Sequence, residues 1–328
     1  MTSAAPILVG LIMLLGFSFK LTLYQHFYSS KKKRCGTSPG VYLSLLLACL
    51  FINSCAGNLS KKPLVLVDIE EYSNDGIKAY NNAQWGKAQR FFSKALQLSQ
   101  GIDDQEGVLL SILNLAEVSL ALHDHTKSKQ YLVQAGEITK YAAYQHYNPR
   151  INLLYGLNVL AQKQLSKAEA ILQKLLPVFD NDKLSTIPDD IQLAAIASVT
   201  RIAFLKKQDA FLWTARYANA LQKTANKNTN RTARLFRFQA DLLLQNDATT
   251  KDKEDEAESK LQQALLLYKE NQSRAGTAAT LFELAQYYRK KHRWQEMQDY
   301  FNRSKAVYSF LKNTEKLELI TEILAQQK

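Results

Sequence analysis

The chain is poor in the residues that interrupt helices. Only 12 Gly and 6 Pro fall among 328 positions, which excludes a turn-rich β-sandwich and leaves room for long uninterrupted helices. Cysteine is scarcer still: Cys35, Cys49 and Cys55 are the only three, all near the amino terminus. The body of the chain therefore has no thiol for a disulfide, a thiolate zinc site or a CxxC redox centre. Acids are missing from residues 1–54, where Lys20, Lys31, Lys32, Lys33 and Arg34 stand unopposed. Much of the net charge of +12 sits there. The modest positive bias of the remainder suits anionic envelope polymers or membranes, and equally suits plain solubility. Also missing are a Gly-rich phosphate loop, a Ser/His/Asp order and an isolated carboxylate pair, the usual sequence marks of an enzyme.

What is present begins with two apolar runs. The second, Val41–Ile52, follows the cluster Lys31-Lys32-Lys33-Arg34 and is too short to span a bilayer comfortably. It ends Ile52-Asn53-Ser54-Cys55-Ala56. This resembles the bacterial lipoprotein signal, in which an aliphatic and two small residues precede the lipidated cysteine. The resemblance implies cleavage before Cys55, acylation of that thiol (palmitate among the chains) and, with Ala56 rather than Asp next, an outer-membrane lipoprotein facing the periplasm. Inner-membrane anchoring is the alternative location, and Leu46-Leu47-Ala48-Cys49 a competing cleavage motif. The earlier run, Pro6–Phe17, reads either as a transmembrane helix or as sequence upstream of the true translation start, which would place residues 1–30 outside the protein. Residues 55–68 read as a tether.

Beyond the tether a small residue recurs about every forty positions: Ala88, Ser128 and Ala168, then Ala257, with Met297 next in phase. A bulky residue follows four on (Phe92, Leu132, Leu172, Leu261, Phe301), and usually a small one three beyond (Ala95, Ala135, Ala264, Ser304). Preceding helices carry their own small marks at Gly76, Ala116, Gly156, Ala240 and Ala285. The pattern resembles the tetratricopeptide repeat, whose small side chains let helices A and B approach while an aromatic fills the space between hairpins. The resemblance covers roughly 69–312. It implies an all-α, right-handed superhelical solenoid of about six hairpins, closed by a capping helix at 313–328. The fourth unit is degenerate, with helices near 191–207 and 208–226, and with Arg201 where a small residue belongs. Asn246–Glu256 reads as a long turn, and the mixed charges of Lys251–Glu258 as its solvated end.

In tetratricopeptide folds the A helices line a concave groove. Phasing from the small marks puts Arg150, Arg234, Arg237 and Arg289 there, with Asn74, Asn81, Asn114 and Glu117 toward the other end. Arginine forks grip carboxylates and phosphates bidentately. His123-Asp124-His125 has the look of metal chemistry, but on a turn without a third ligand it reads as solvated, and no metal or cofactor is expected. The repeats leave no space for a separate catalytic domain. The expectation is a non-enzymatic scaffold, lipid-anchored in the cell envelope, holding a protein partner and no nucleic acid. It resembles tetratricopeptide lipoproteins that serve secretin and pilus assembly (pilotins), β-barrel insertion or peptidoglycan-synthase control. A ligand- or glycan-binding lipoprotein using Trp213, Trp294, Tyr287 and Tyr288 is the alternative. A peptidoglycan-active enzyme and a cytoplasmic adaptor stand further back, and the partner and oligomeric state stay open.

Overall fold

Small residues on facing helices, repeated in phase, make a stack of hairpins. The computed structural model describes residues 63–176, 187–224, 229–245 and 250–326; Cys55 and the signal-like region lie outside them. The first three hairpins are α1 (Leu64–Asn81) with α2 (Trp85–Gly101), α3 (Gln105–Ala121) with α4 (His125–Ile138), and α5 (Asn148–Ala161) with α6 (Leu165–Gln173). A 3₁₀ turn, Ala142–Tyr147, leads into α5. Then come α7 (Asp189–Leu205) with α8 (Phe211–Lys223), α9 (Thr229–Leu243) with α10 (Lys251–Glu270), and α11 (Arg274–Lys290) with α12 (Trp294–Phe310). The last helix, α13 (Thr314–Ala325), packs on α12 and buries Ile320 and Ile323. No strand occurs among the described residues. The molecule is an all-α solenoid.

The repeat marks lie in its core. Ala88, Ala95, Ser128, Ala135, Ala168, Ala257, Ala264 and Ser304 are fully buried, as are Ala116, Ala240 and Ala285 on the A helices. Phe92, Leu132, Leu172, Leu261, Met297 and Phe301 fill the spaces between them. Each large side chain so buried contributes about 2–3 kcal/mol of hydrophobic free energy. Close approach is literal at two glycines. A Cβ on Gly76 would strike the Phe92 ring, and one on Gly156 would come within 2.7 Å of Leu172 Cδ2. In the fourth hairpin Tyr217 is buried and Trp213 half-buried.

How the chain turns with so little glycine has a direct answer. Ala83, Asp103, His123, Lys163, Lys207, Gln272, His292 and Lys312 take φ between 53° and 62°. After each, the next N–H returns to a carbonyl five residues back, as from Gln84 to Ala79 (2.8 Å) and Arg293 to Tyr288 (3.0 Å). These are Schellman closures. They are built on side-chain-bearing residues at a cost of roughly 1–2 kcal/mol each. Asp104, Asp124 and Asn313 then cap the following helices, accepting from the N–H of Gly107, Lys127 and Lys316.

Two boundaries differ from the sequence reading. α1 starts at Leu64, so 64–68 are helical rather than tether. α10 starts at Lys251, so Lys251–Glu258 are its first two turns and not a solvated loop. The acids Asp252 and Glu254 favour the positive end of the helix, and Glu254 is paired with Lys291.

The array also folds back on itself. Arg274, at the start of α11, donates to the carbonyl of Asn82 in the first turn. Ala83 and Trp85 pack against the core formed by α9–α13. Lys163, in the turn between α5 and α6, pairs with Glu315 of α13 at 2.9 Å. The last hairpin and the cap therefore meet the A–B turns of the first and third hairpins.

Candidate functional site

The A helices carry two polar clusters, one in each half. In the first, Arg150 of α5 donates through Nη2 to Asn114 Oδ1 (2.7 Å) and reaches Glu117 Oε2 at 3.3 Å, both on α3. Burial first, and then the Glu117 charge, hold the hydroxyl of Tyr80 on α1 well above the ordinary tyrosine range. The cluster thus joins two consecutive A helices, α3 and α5.

The second cluster is denser in charge. Arg237 of α9 grips Glu283 of α11 with its fork, Nε donating to Oε2 at 2.6 Å and Nη2 to Oε1. Burial alone would push the guanidinium down, but the Glu283 charge and hydrogen bond override it and carry the group above its usual value. Asp241, one turn along α9, is raised to about 7, by burial first and then by Glu283, against the pull of Arg237, Arg201 and Lys290. Arg201 of α7 is lowered, by burial first and then by Arg237. Its side chain is nonetheless open to solvent. From the cap, Lys316 enters the same field, lowered by burial and then by Arg201, its ammonium 4.4 Å from the centre of the Phe282 ring. Tyr308 of α12 lies in the same field, pushed up to about 12 chiefly by burial.

The structure brings Arg150, Asn114 and Glu117 together and gives Arg237 a partner. Arg234 stands exposed on α9, Arg289 is half-buried on α11, and Asn74 and Asn81 are exposed on α1. No side-chain hydrogen bond joins these four to the clusters. Glu283, Asp241, Arg201 and Lys316 were missed by the sequence reading. The one available signal was Arg201 standing where a small residue belongs.

The aromatics proposed for a sugar platform are not grouped as one. Tyr287 and Tyr288 are buried; Tyr288 donates to Glu258 and stacks on Tyr300 at 5.2 Å between centroids. Trp213 lies beneath Arg216, whereas Trp294 is half exposed. His123 lies in the turn before α4 and His125 is the first residue of that helix, their ring centroids 6.4 Å apart. Among the described residues no group of three His, Cys, Asp or Glu is placed to hold a metal ion, and no helix is long and apolar enough to cross a membrane. A shallow cavity of about 540 Å³ lies against α1 and α2, lined by Tyr72, Lys78, Arg90 and Phe91 among others. None of the eight groove residues lines it.

No protein-family model and no curated protein matches the chain. Among solved structures the chain is similar to RapI, in a crystal structure of its apo form. The match has a TM-score of 0.55 at 13% identity and covers 90% of this chain and 99% of that one. At that identity the likeness carries the helical-repeat fold, along nearly the whole of both chains, and nothing of activity.

Proposed function

We propose that this protein is a non-enzymatic scaffold that holds an extended segment of a protein partner in the groove lined by its A helices. The observation that carries the reading is the pair of polar clusters on the A helices, Arg150 with Asn114 and Glu117 across α3 and α5, and Arg237 with Glu283 across α9 and α11. Solenoids of stacked hairpins use such concave faces for recognition. Photo-crosslinking decides between faces. With benzoylphenylalanine placed at Asn114 or Arg289 in the groove and at Gln89 on α2, a partner should crosslink from the first two positions only. Crosslinks from Gln89 alone would remove the groove from the function.

The lipobox-like Ile52-Asn53-Ser54-Cys55 supports a second element of the proposal, anchoring in the cell envelope by lipid on Cys55. Acyl chains contribute roughly 0.8 kcal/mol of membrane affinity per buried CH₂, so several chains suffice without a spanning helix. Labelled palmitate should enter the wild-type chain and not Cys55→Ala. Equal label in both would move the anchor to another cysteine, and no label in either would end the lipoprotein reading.

A further inference from the structure

A stack of hairpins exposes a face at each end. α13 covers the last hairpin and buries Ile320 and Ile323. The first hairpin differs. α1 and α2 pack chiefly on each other and on α3, and the last hairpin reaches them at their connecting turn. Their outer face is hollowed by the shallow cavity of about 540 Å³. Lys78, Lys87, Arg90 and Lys94 stand around it, and Tyr72 and Phe91 line it with ring centroids 6.4 Å apart. Arg90 and Lys94 also line a second hollow of about 360 Å³, beside Gln89, Ser93 and Gln97. α2 carries no acid anywhere along Trp85–Gly101. Among the described residues Lys87 and Arg90 are in no ion pair, and Lys94 donates to Gln97 Oε1 at 3.2 Å. The acids of this hairpin lie on α1. Asp75 lines the cavity and pairs with Lys78 at 3.0 Å, whereas Asp68, Glu70 and Glu71 stand nearer the start of the helix. A terminal face that meets water alone needs only polar groups. Cations set among aromatic rings have the composition of a surface that meets lipid headgroups.

We propose that this outer face docks on the anionic lipid headgroups of the membrane that carries the anchor, with Lys87, Arg90 and Lys94 receiving lipid phosphates. Three observations choose that occupant. The first is chain length: only residues 56–63 separate Cys55 from α1, so a fully extended tether holds the helix within about 30 Å of the lipid. The second is charge. Three exposed cations on a helix without acids complement a phosphate surface, and Lys61 and Lys62 of the tether add to them. The third is the entry to α1, where Leu64, Val65 and Val67 stand exposed in the first turn. Aliphatic groups there suit the acyl boundary, and the rings of Tyr72 and Phe91 suit the headgroup layer. Each cation near an anionic surface adds about fivefold in partition, so three give roughly a hundredfold. That is weak for a free protein, but a short tether holds the face at high local concentration. The inference rests on the lipid-anchor reading above and adds an orientation to it.

Residues 62–328 form a compact unit that holds the described hydrophobic cores from the first hairpin to the cap, so the array can be tested without the region before it. The measurement is flotation with vesicles of phosphatidylcholine alone or mixed equally with phosphatidylglycerol. At low salt the array should float with the mixed vesicles and not with the neutral ones, and added salt should release it. Lys87→Glu and Arg90→Glu should each lower the partition by about fivefold or more, whereas Arg90→Lys should keep most of it. Lys269→Glu, an exposed site on α10, changes the net charge equally and should leave binding unchanged, with helicity by circular dichroism equal throughout. Flotation with neither vesicle, or equally with both, overturns the proposal. An equal loss in Lys269→Glu overturns it in favour of net charge alone. Displacement by inorganic phosphate at the concentration of the lipid phosphate overturns it in favour of a small-anion site. A dimer in sedimentation velocity that Arg90→Glu dissolves overturns it in favour of a second copy of the chain. Palmitate label on the full chain together with no flotation would leave the anchor standing and remove only the docking face.

Discussion

Two A helices, α3 of the second hairpin and α9 of the fifth, occupy equivalent places in their hairpins but differ in chemistry. α3 is aliphatic and buries nine residues, from Val108 to Ser119. α9 buries only Ala233, Phe238 and Ala240, with Arg234 exposed and Arg231 and Arg237 half-buried. Both nonetheless pack on their B helices through fully buried small residues, Ala116 and Ala240. Hairpin geometry therefore depends on a few close-approach positions, and the rest of each A helix is free to vary. α3 uses that freedom for core, and the Arg150–Glu117 pair that reaches it from α5 remains partly open to solvent. In α9 the same freedom places Arg237 in a half-buried fork with Glu283 of α11.

The comparison can be broken at several levels. The largest effect is expected from the inter-hairpin aromatics: Phe301→Ala and Phe92→Ala should each cost about 3–5 kcal/mol in urea unfolding. If the halves are energetically separate, each variant will split the transition into two; a single shifted transition would show one cooperative array. Next come the ion clusters. Glu283→Gln strands Arg237 in a half-buried site and should cost about 2–3 kcal/mol, whereas Glu117→Gln in the more open cluster should cost under about 1 kcal/mol. Equal losses would erase the distinction between the halves.

The third effect is a pH profile. Asp241 has its folded pKa raised to about 7 from 3.8, so the native state keeps a proton that the unfolded chain releases between those values. Stability from this group is present in full below pH 4 and is lost as pH rises toward 7. Asp241→Asn should remove that decline, gaining about 1 kcal/mol or more at pH 8 and nothing at pH 4. An unchanged profile would show the carboxylate to be ordinary. The smallest effect concerns the turns common to both halves. Lys207→Gly relieves a left-handed residue and should stabilise by about 0.5 kcal/mol after the added unfolded-state entropy is subtracted. A lower melting temperature would mean that the Lys207 side chain contributes more than its backbone strain costs.

Much of the fold is legible in the chain because close packing leaves a periodic trace. Ala88-x₃-Phe92-x₂-Ala95 and its counterparts mark B helices wherever they occur, since substitution by a larger residue would force the hairpin apart. Boundaries were harder to read. The turns use Lys, His, Gln, Asp and Ala in the left-handed conformation, where glycine would have signalled the stop. Lys251–Glu258 has the composition of a loop, yet it is held helical by acids near its amino end and by the Glu254–Lys291 and Tyr288–Glu258 contacts. The candidate site was legible only as a phase. Arg150 and Arg237 follow from the small marks, but Glu283 is 46 positions from Arg237, with no periodic signal linking them.

By itself the sequence determined that this chain is a stack of helical hairpins, because the small and bulky marks repeat in phase and scarce glycine and proline leave the helices unbroken. Only the tertiary structure decided which charges are paired and which are left facing one another. Pairing across A helices depends on how successive hairpins rotate, and that rotation sums many packing contacts. The same summation returns α11 and α13 to the first and third turns, so that Arg274 meets Asn82 and Glu315 meets Lys163 from the far end of the chain.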